Sequence, residues 1–231
     1  MRFYEQYNDL EKQLYASYPS NVLFKNGLAI SYAKLGETHG ALGDLDKALR
    51  FYEQYNDLEK QLHTSYPTNV SFKNGLAVSY SKLGETHAAL GNLDKALRFY
   101  EDETQLFEQL YASYPSNVEY KNGLAIAYFK LGNTYAALGN LDKALRFYED
   151  STKLMEQLYA SYPKNVEFKN GLAAAYSKLG SFYHYKKPDY SKARFYYKQC
   201  QQFWSELATS FPMYVEFKKN LAWVEGRLKA L

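Results

Sequence analysis

The sequence predicts an all-helical solenoid of tandem repeats, and three observations predict it. The tetrapeptide Arg-Phe-Tyr-Glu recurs every 48 residues, and a Tyr-Pro pair recurs with the same spacing. Gly-Asn and Tyr-Pro turns divide each period into two helices, and apolar residues follow one another at helical spacing. A fixed period of this length is typical of repeat architectures, in which stacked units bury a face that one unit cannot bury alone.

The repeat is highly regular at its start and departs from regularity near its end. Residues 2–49 and 50–97 differ at 8 of 48 positions. The Tyr-Pro series ends in Phe211-Pro212 after a spacing of 49, because the segment 186–189 adds one residue. The copies of the tetrapeptide begin at Arg2, Arg50, Arg98 and Arg146.

Local signals predict where the helices of one period begin and end. Gly91 closes one helix and Asn92 is a good N-cap for the next. We expect this second helix to span Leu93 to Ser113, because Tyr114-Pro115 stops it. Its apolar residues recur at helical spacing and form one broad face.

The same signals predict ten helices in one repeat domain, residues 1–231. Ser116-Asn117 caps the following first helix, which extends to about Leu138. The chain starts inside a second helix, 2–17, and ends in a capping first helix, 214–231. The copies start at 2, 50, 98, 146 and about 195, and the array is predicted to be a segment of a longer protein.

The repeated frame resembles the tetratricopeptide repeat, whose pattern is an aromatic, Leu-Gly, an aromatic, Ala and an aromatic. The resemblance covers the whole chain and implies a right-handed α-solenoid, a superhelix of antiparallel helix pairs that binds proteins. The family repeat has about 34 residues, so we infer that each helix is about two turns longer here. The frame stands at Tyr32, Leu35, Gly36, His39, Ala48 and Tyr52, at Tyr80, Leu83, Gly84, His87, Ala96 and Tyr100, and in two further copies.

Composition and charge argue against nucleic-acid and membrane partners. The net charge of +3 is small and its basic and acidic residues are interleaved, so no basic stripe exists to bind phosphates. No signal peptide or membrane-spanning run is visible. The lone Cys200 fits a reducing compartment, and we predict a cytoplasmic protein.

The sequence contains no motif for catalysis, a metal or a cofactor. His39 and His87 occupy an aromatic position of the frame and are predicted to pack between helices. His63 replaces a tyrosine of other copies, and His184 lies in the deviant segment. No two histidines have metal-ligand spacing, and Cys200 has no partner at a recognisable spacing. We therefore predict that the chain is not an enzyme.

The resemblance implies that the first helix of each copy lines a concave groove for a protein or peptide partner. We carry the groove positions over from the family and extend them along each first helix at helical spacing. The residues at these positions vary between copies. This variation favours a surface that contacts a partner; the alternative is that the positions face solvent and vary without constraint. We call these positions the stripe, and expect its centre at Phe129 and Asn133. The stripe comprises Asn26, Ile30, Ala33 and Glu37; Ser71, Asn74, Val78, Ser81 and Glu85; Glu119, Asn122, Ile126, Phe129 and Asn133; and Glu167, Asn170, Ser177, Ser181 and His184.

Two further features of the repeat bear on the stripe. Lys-Asn-Gly recurs inside the first helix of four copies, although Asn-Gly disfavours helix by roughly 1 kcal/mol or more. The glycine is predicted to allow close helix contact, and the asparagines either form a ladder for a peptide backbone or bond within the array. A second variable segment, 54–57 against 102–105, lies midway along the second helix and is assigned to the outer surface; we call it the second-helix patch.

Relatives that bind acidic chaperone tails do so through Lys and Asn at fixed groove positions. The lysine position carries Ala33, Ser81, Phe129 and Ser177 here, and only Asn133 matches the asparagine. Chaperone-tail binding is therefore not expected, and the third groove, with Ile126 beside Phe129, favours an apolar side chain. Two alternatives to a partner-binding scaffold remain: a homo-oligomer that associates through the exposed N-terminal helix, and a duplicated or engineered array without a ligand.

Overall fold

A computed structural model describes residues 2–231, which form ten α-helices and no strand. The all-α prediction is confirmed, and the bounds predicted for the helix Leu93–Ser113 coincide with α5. The helices are α1 Arg2–Ser17, α2 Val22–Ala41, α3 Leu45–Ser65, α4 Val70–Ala89, α5 Leu93–Ser113, α6 Val118–Ala137, α7 Leu141–Ser161, α8 Val166–Tyr185, α9 Tyr190–Ser210 and α10 Val215–Lys229.

The turns between helices follow the predicted signals with one exception. Gly91 has a φ of 80°, in the left-handed region that favours glycine, and α5 begins two residues later. Asn92 stands at the N-cap position of α5, but its side chain accepts no capping hydrogen bond. The equivalent Asn140 does cap α7, because its side chain accepts from the backbone N–H of Lys143. The prediction placed the N-cap at the right residue, but the side chain of Asn92 does not form the expected capping hydrogen bond.

The helices group into two compact units, Met1–Pro115 and Ser116–Leu231, which we call unit 1 and unit 2. Unit 1 contains α1 to α5, and unit 2 contains α6 to α10. Within each unit, helices that follow one another along the chain lie side by side. From here a copy is counted as a first helix and the second helix that follows it, as in α2 and α3. Within a unit, each first helix that has a following second helix contacts it, and the second helices α1, α3, α7 and α9 also contact the first helix of the next copy.

A glycine and a tyrosine meet wherever a first helix contacts the second helix of its own copy. A Cβ atom on Gly84 would lie 2.5 Å from the Tyr100 ring, so only glycine lets the ring reach the helix backbone. The tyrosines are buried, which explains why the repeat keeps both residues. The four contacts are Gly36–Tyr52, Gly84–Tyr100, Gly132–Tyr148 and Gly180–Tyr197.

Histidine and tyrosine at the second aromatic position of the frame stack on a ring of the following helix. The His87 and Phe99 rings are 5.5 Å apart and inclined by 3°. This confirms that His39 and His87 serve contacts between helices. The equivalent stacks are His39 on Phe51, Tyr135 on Phe147 and Tyr183 on Tyr196.

Buried polar pairs join successive copies in unit 1. Nδ2 of Asn8 donates to Oγ of Ser31 at 2.8 Å, and Nδ2 of Asn56 donates to Oγ of Ser79 at 2.7 Å. All four residues are at most 2% exposed. Each serine hydroxyl in turn donates to a carbonyl of its own helix. The pairs satisfy polar groups whose burial would otherwise be costly.

Candidate partner-binding surface

In unit 1 the stripe residues of α2 and α4 all lie at the surface, either half-buried or exposed. Ile30 is 42% exposed, and Leu23, on the same face one turn before Asn26, is 77% exposed. Apolar side chains of this size therefore face water among polar neighbours. The surface positions are Asn26, Ile30, Ala33 and Glu37 on α2, and Ser71, Asn74, Val78, Ser81 and Glu85 on α4.

An ion-pair network joins the two stripe helices of unit 1. Oε2 of Glu37 lies 2.9 Å from Nζ of Lys34 in its own helix, and Oε1 lies 3.5 Å from Nζ of Lys82 in α4. Partial burial raises the pKa of Glu37, but the hydrogen bonds and positive charges of the two lysines outweigh burial and hold it below its usual value. Lys34 and Lys82 of unit 1 thus share one carboxylate partner within the unit.

In unit 2 the stripe residues of α6 and α8 lie at the surface, with one exception. Ile126 is 38% exposed, and Phe129 beside it is half-buried. Ser177 is buried, and its hydroxyl donates to the carbonyl of Ala174, so its side chain is not presented to a partner. The surface positions are Glu119, Asn122, Ile126, Phe129 and Asn133 on α6, and Glu167, Asn170, Ser181 and His184 on α8.

Tyrosine hydroxyls of the second helices form hydrogen bonds with stripe residues of unit 2. The Tyr148 hydroxyl donates to Oδ1 of Asn133 at 3.1 Å, and that of Tyr197 donates to Oγ of Ser181 at 3.4 Å. Burial raises the pKa of Tyr148 to about 12, which keeps the hydroxyl protonated as a donor. The bond to Tyr148 orients the Asn133 amide and leaves its Nδ2 group to be used elsewhere.

A small apolar pocket opens on the stripe of unit 2 between α6, α7 and α8. Its volume is about 170 Å³. The walls are contributed by Ile126 and Phe129 from the stripe. The complete lining is Ile126 and Phe129 of α6, Ser151 and Met155 of α7, and Gly171 and Ala174 of α8. The apolar third groove expected from Ile126 and Phe129 thus corresponds to a cavity.

Ser151 of this lining aligns with the second-helix patch. The assignment of that patch to the outer surface was right for its four outer residues, which are exposed, and wrong for the residues between them; the exposed residues are Gln54, Asp57, Asp102 and Gln105. Tyr55 is 6% exposed and Asn56 is 2% exposed. In the next copy, Glu103 and Thr104 are also buried. Ser151 stands one repeat further on at the position of Tyr55. The patch varies because it faces the next copy, and the replacement of a tyrosine by a serine was the signal in the sequence that could have located the pocket.

The recurring asparagines divide into two groups. No side-chain hydrogen bond from Asn26 or Asn74 to another group occurs among residues 2–231, and both side chains are half-buried. Oδ1 of Asn170, by contrast, accepts a hydrogen bond of 3.0 Å from the indole Nε1 of Trp204. Bonding within the array therefore accounts for Asn170, whereas the amides of Asn26 and Asn74 are open to a ligand.

The glycines that follow Asn26, Asn74 and Asn170 allow a close helix contact, as predicted. A Cβ atom on Gly75 would collide with the carboxylate of Glu59 in α3. On Gly171 it would lie 3.1 Å from Sδ of Met155. Glu59 is 3% exposed and its Oε2 has no hydrogen-bond partner in the described residues. Desolvation by burial raises the pKa of Glu59 to about 7.

Residues 2–231 contain no group of three or more His, Cys, Asp or Glu side chains arranged to hold a metal ion. Cys200 is completely buried, its Sγ donates to the carbonyl of Tyr197, and burial raises the pKa of the thiol to about 12. The thiol is therefore protonated and shielded from solvent. No helix in the same residues is both long and apolar enough to cross a membrane.

Two segments of the chain match family models described as tetratricopeptide repeat, residues 25–56 and residues 75–157. The matches support a tetratricopeptide-repeat family for this chain, in agreement with the repeated frame. Together with the ten helices of residues 2–231, they support the class of helical-repeat interaction scaffolds. A comparison with curated proteins finds no match.

Solved structures show the same fold at low sequence identity. The crystal structure of BtubC (BKLC) from P. vanneervenii is similar with a TM-score of 0.64 and 16% identity, over 99% of this chain and 88% of that chain. The Rap conjugation gene regulator of the plasmid pLS20, in complex with a Phr peptide, is similar with a TM-score of 0.54 and 15% identity. That match covers 87% of this chain and 52% of the regulator.

Proposed function

We propose that this chain is an interaction scaffold that binds a peptide or protein partner along the stripe. The observation that carries the proposal is the exposure of Ile30 and Ile126 on the stripe, beside asparagine amides without an intramolecular partner at Asn26 and Asn74. The exposed apolar side chains can bury side chains of an extended peptide, and the free amides can form hydrogen bonds with its backbone groups. The peptide complex of the similarly folded Rap regulator supports a peptide as the ligand.

A selection of short random peptides on the full chain tests this proposal. Affinities of selected peptides are then measured by fluorescence anisotropy for the wild type, for Ile126→Asp, and for the matched control Phe195→Asp. Phe195 is 56% exposed on α9 and is not a stripe residue. We expect Ile126→Asp to weaken binding at least about tenfold, since a buried aspartate is costly, and the control to change it less than about twofold.

Three results would contradict the proposal. The first is that the chain selects no peptide. The second is that Ile126→Asp and Phe195→Asp weaken binding equally. In the third, Ile126→Asp lowers the melting temperature without changing affinity, which would make Ile126 a structural residue only.

We also infer that the repeat is a lengthened tetratricopeptide unit and that residues 1–231 form one repeat domain. The helices between Val22 and Ala89 span 20 or 21 residues each, which supports extra turns in both helices of the copy. The 48-residue period continues without interruption through residue 185. The lone cysteine supports a reducing, cytoplasmic location.

Self-association through α1 is a second candidate function, favoured by the exposed apolar residues of that helix. Phe3 is 72%, Leu10 is 59% and Leu14 is 38% exposed, whereas the equivalents of the last two in α3, Leu58 and Leu62, are buried. Concentration-dependent light scattering that Leu10→Lys abolishes would support association. A monomer at all concentrations would exclude it.

Association of α1 with α10 of a second copy is not favoured by the residues of α10. Lys229 occupies the position that Gly180 holds in α8. At Gly180 the ring of Tyr197 lies against the helix backbone. A lysine side chain at this position would obstruct the equivalent ring, Tyr4, of another copy.

A further inference from the structure

The pocket of unit 2 has the size and lining of a site for one apolar side chain. An apolar cavity of about 150 Å³ is enough to hold a benzene molecule, and this pocket has about 170 Å³. The only side-chain oxygen in its lining, Oγ of Ser151, donates to the carbonyl of Ala125 at 2.7 Å. That hydroxyl is therefore occupied, and the pocket offers an entering group almost no hydrogen bond.

The pocket exists because two large residues of unit 1 are replaced in unit 2. At the equivalent place between α2, α3 and α4, the buried Tyr55 spans the space and its hydroxyl donates to the carbonyl of Gly75 at 3.2 Å. Ser151 takes the position of Tyr55, and Met155 takes that of Glu59. Serine removes the whole ring, and the lining does not collapse to fill its volume.

At the following place, between α8, α9 and α10, the space is filled again. Trp204 occupies the position of Met155 and is 4% exposed. Its ring meets that of Trp223 at a centroid distance of 6.4 Å. Between α6, α7 and α8 the chain therefore leaves open a space that aromatic rings close at two equivalent places, between α2, α3 and α4 and between α8, α9 and α10.

A lysine without a carboxylate partner stands beside the pocket. Nζ of Lys178 lies 5.8 Å from the centroid of the Phe129 ring, which forms a wall of the pocket. In unit 1 the equivalent Lys82 pairs with Glu37, but in unit 2 the position of Glu37 is Asn133. Among residues 2–231 no carboxylate lies within ion-pair distance of Lys178.

The surroundings of Lys178 favour an external anion. The side chain is half-buried, and desolvation lowers the pKa of its ammonium group. The face of Phe129 offers only a weak cation–π contact. Asn133, whose Oδ1 is held by Tyr148, has its Nδ2 donor at the same level of the stripe. Two hydrogen-bond donors and no carboxylate thus occupy the positions at which unit 1 pairs Lys82 with Glu37.

We propose that unit 2 binds a peptide segment through one aliphatic side chain of leucine or methionine size in this pocket, together with a carboxylate at Lys178. The carboxylate comes either from an aspartate or glutamate beside the aliphatic residue or from the C-terminus of the segment. This inference rests on the proposed function, since it specifies what the stripe recognises. It assigns the recognition to six lining residues and one cation in a single unit.

The test uses random peptides selected in parallel on the full-length wild type, on Met155→Trp and on Lys178→Gln. Met155→Trp fills the pocket with the residue that Trp204 already provides in the next copy. Ser151→Tyr, which restores the residue of unit 1, is a second filling variant in case the first is unstable. Melting temperatures of all variants are measured to establish that they fold.

We expect wild-type selections to be enriched in leucine, methionine or isoleucine next to an acidic group. Either filling variant should remove the aliphatic enrichment and weaken wild-type peptides at least about tenfold. Lys178→Gln should remove the acidic enrichment and keep the aliphatic one. Amidation of the peptide C-terminus distinguishes the two carboxylate sources, because it weakens binding only when the terminal carboxylate is used.

Other outcomes overturn the inference without overturning the proposed function. If peptides bind and are weakened by Ile126→Asp, but show no aliphatic or acidic preference and tolerate both filling variants, the stripe binds partners without this pocket. If no peptide binds the wild type at all, the proposed function itself fails. An aliphatic preference that survives both Met155→Trp and Ser151→Tyr also excludes the pocket as its source.

Discussion

The hydroxyl of Tyr148 donates a hydrogen bond of 3.1 Å to Oδ1 of Asn133, although the two residues lie on different helices. The ring reaches this position because Gly132, the residue before Asn133, has no side chain in its path. One contact therefore connects the interior of the helix pair with the surface proposed to bind a partner. Substitutions in this helix pair and on this surface test stability and partner binding, respectively.

Gly132→Ala should destabilise the protein by about 2 kcal/mol. Its Cβ atom would lie 2.6 Å from Cδ1 of the buried Tyr148 ring, and the strain of overpacking exceeds the higher helix propensity of alanine. The measurement is urea denaturation followed by circular dichroism. The control is Gly226→Ala, at an exposed position of α10. Its new Cβ atom meets nothing within 4 Å, so we expect a small gain in stability. Equal effects of the two changes would contradict this account of the glycine.

Glu59 makes the stability of the protein depend on pH. Its pKa in the folded state, about 7, lies above the usual value of 4.5, so the native state favours the protonated form. Stability is then lost as the pH rises from about 4.5 to about 7, and remains lost above it. Glu59→Gln should therefore stabilise the protein at pH 8, by at most roughly 3 kcal/mol, and should have little effect at pH 4.

The measurement for Glu59 is thermal unfolding of wild type and Glu59→Gln at the two pH values. Glu53→Gln removes the same charge from an exposed position on the same helix. We expect that control to stay within about 0.5 kcal/mol of the wild type. A stabilisation by Glu59→Gln that is the same at pH 4 and pH 8 would show that the charge of Glu59 is not its cause.

Ser79→Ala should destabilise unit 1 by about 2 kcal/mol, because it leaves the buried Nδ2 group of Asn56 without its acceptor. In unit 2 the residue equivalent to Ser79 is already an alanine, Ala175, and the residue equivalent to Asn56 is Thr152. The Thr152 hydroxyl donates to the carbonyl of Tyr148 in its own helix. The double variant Asn56→Thr, Ser79→Ala should therefore recover most of the lost stability.

A double-mutant cycle in urea measures this recovery, with Asn56→Thr as the remaining single variant. Contacting residues should show a coupling free energy well above the error of measurement. Strict additivity of the two changes would mean that the Asn56–Ser79 hydrogen bond does not contribute to stability.

The recurring asparagines should respond differently to alanine substitution. Asn170→Ala removes the acceptor of the Trp204 indole N–H, which is largely buried, and should cost about 1 kcal/mol. Asn74→Ala removes no intramolecular hydrogen bond and should leave the melting temperature unchanged while weakening peptide binding. Thermal unfolding and fluorescence anisotropy of the two variants provide the comparison. If Asn74→Ala lowers stability and leaves affinity unchanged, the asparagine ladder is excluded.

Much of the fold could be predicted because its determinants are local. The Gly-Asn and Tyr-Pro turns mark helix ends through backbone preferences of single residues, and α5 begins and ends where those signals place it. The stacking of His87 on Phe99 follows from its place in the repeated frame. The capping bond of Asn92 was not formed even though the residue type and position were right, since a side-chain rotamer also decides that bond.

The second-helix patch shows where sequence reasoning failed. Tyr55 and Asn56 were assigned to the outer surface as part of a segment that differs between copies and lies midway along the second helix. In the structure α3 contacts both α2 and α4, so Tyr55 and Asn56 are buried in addition to the regular apolar positions of the helix. Helical periodicity shows which residues share a face, but the number of faces that neighbours cover depends on the stacking.

The sequence by itself determined the helical class, the 48-residue repeat, the helix bounds and the candidate stripe, because these follow from short-range preferences and periodicity. Only the tertiary structure decided that Ser151 and Met155 leave a pocket and that Lys178 lacks the partner that Lys82 has. The physical reason is that a cavity and an unpaired charge are properties of several helices brought together. Ile126 and Phe129 could be chosen from the sequence, but the empty space beside them exists only between packed helices.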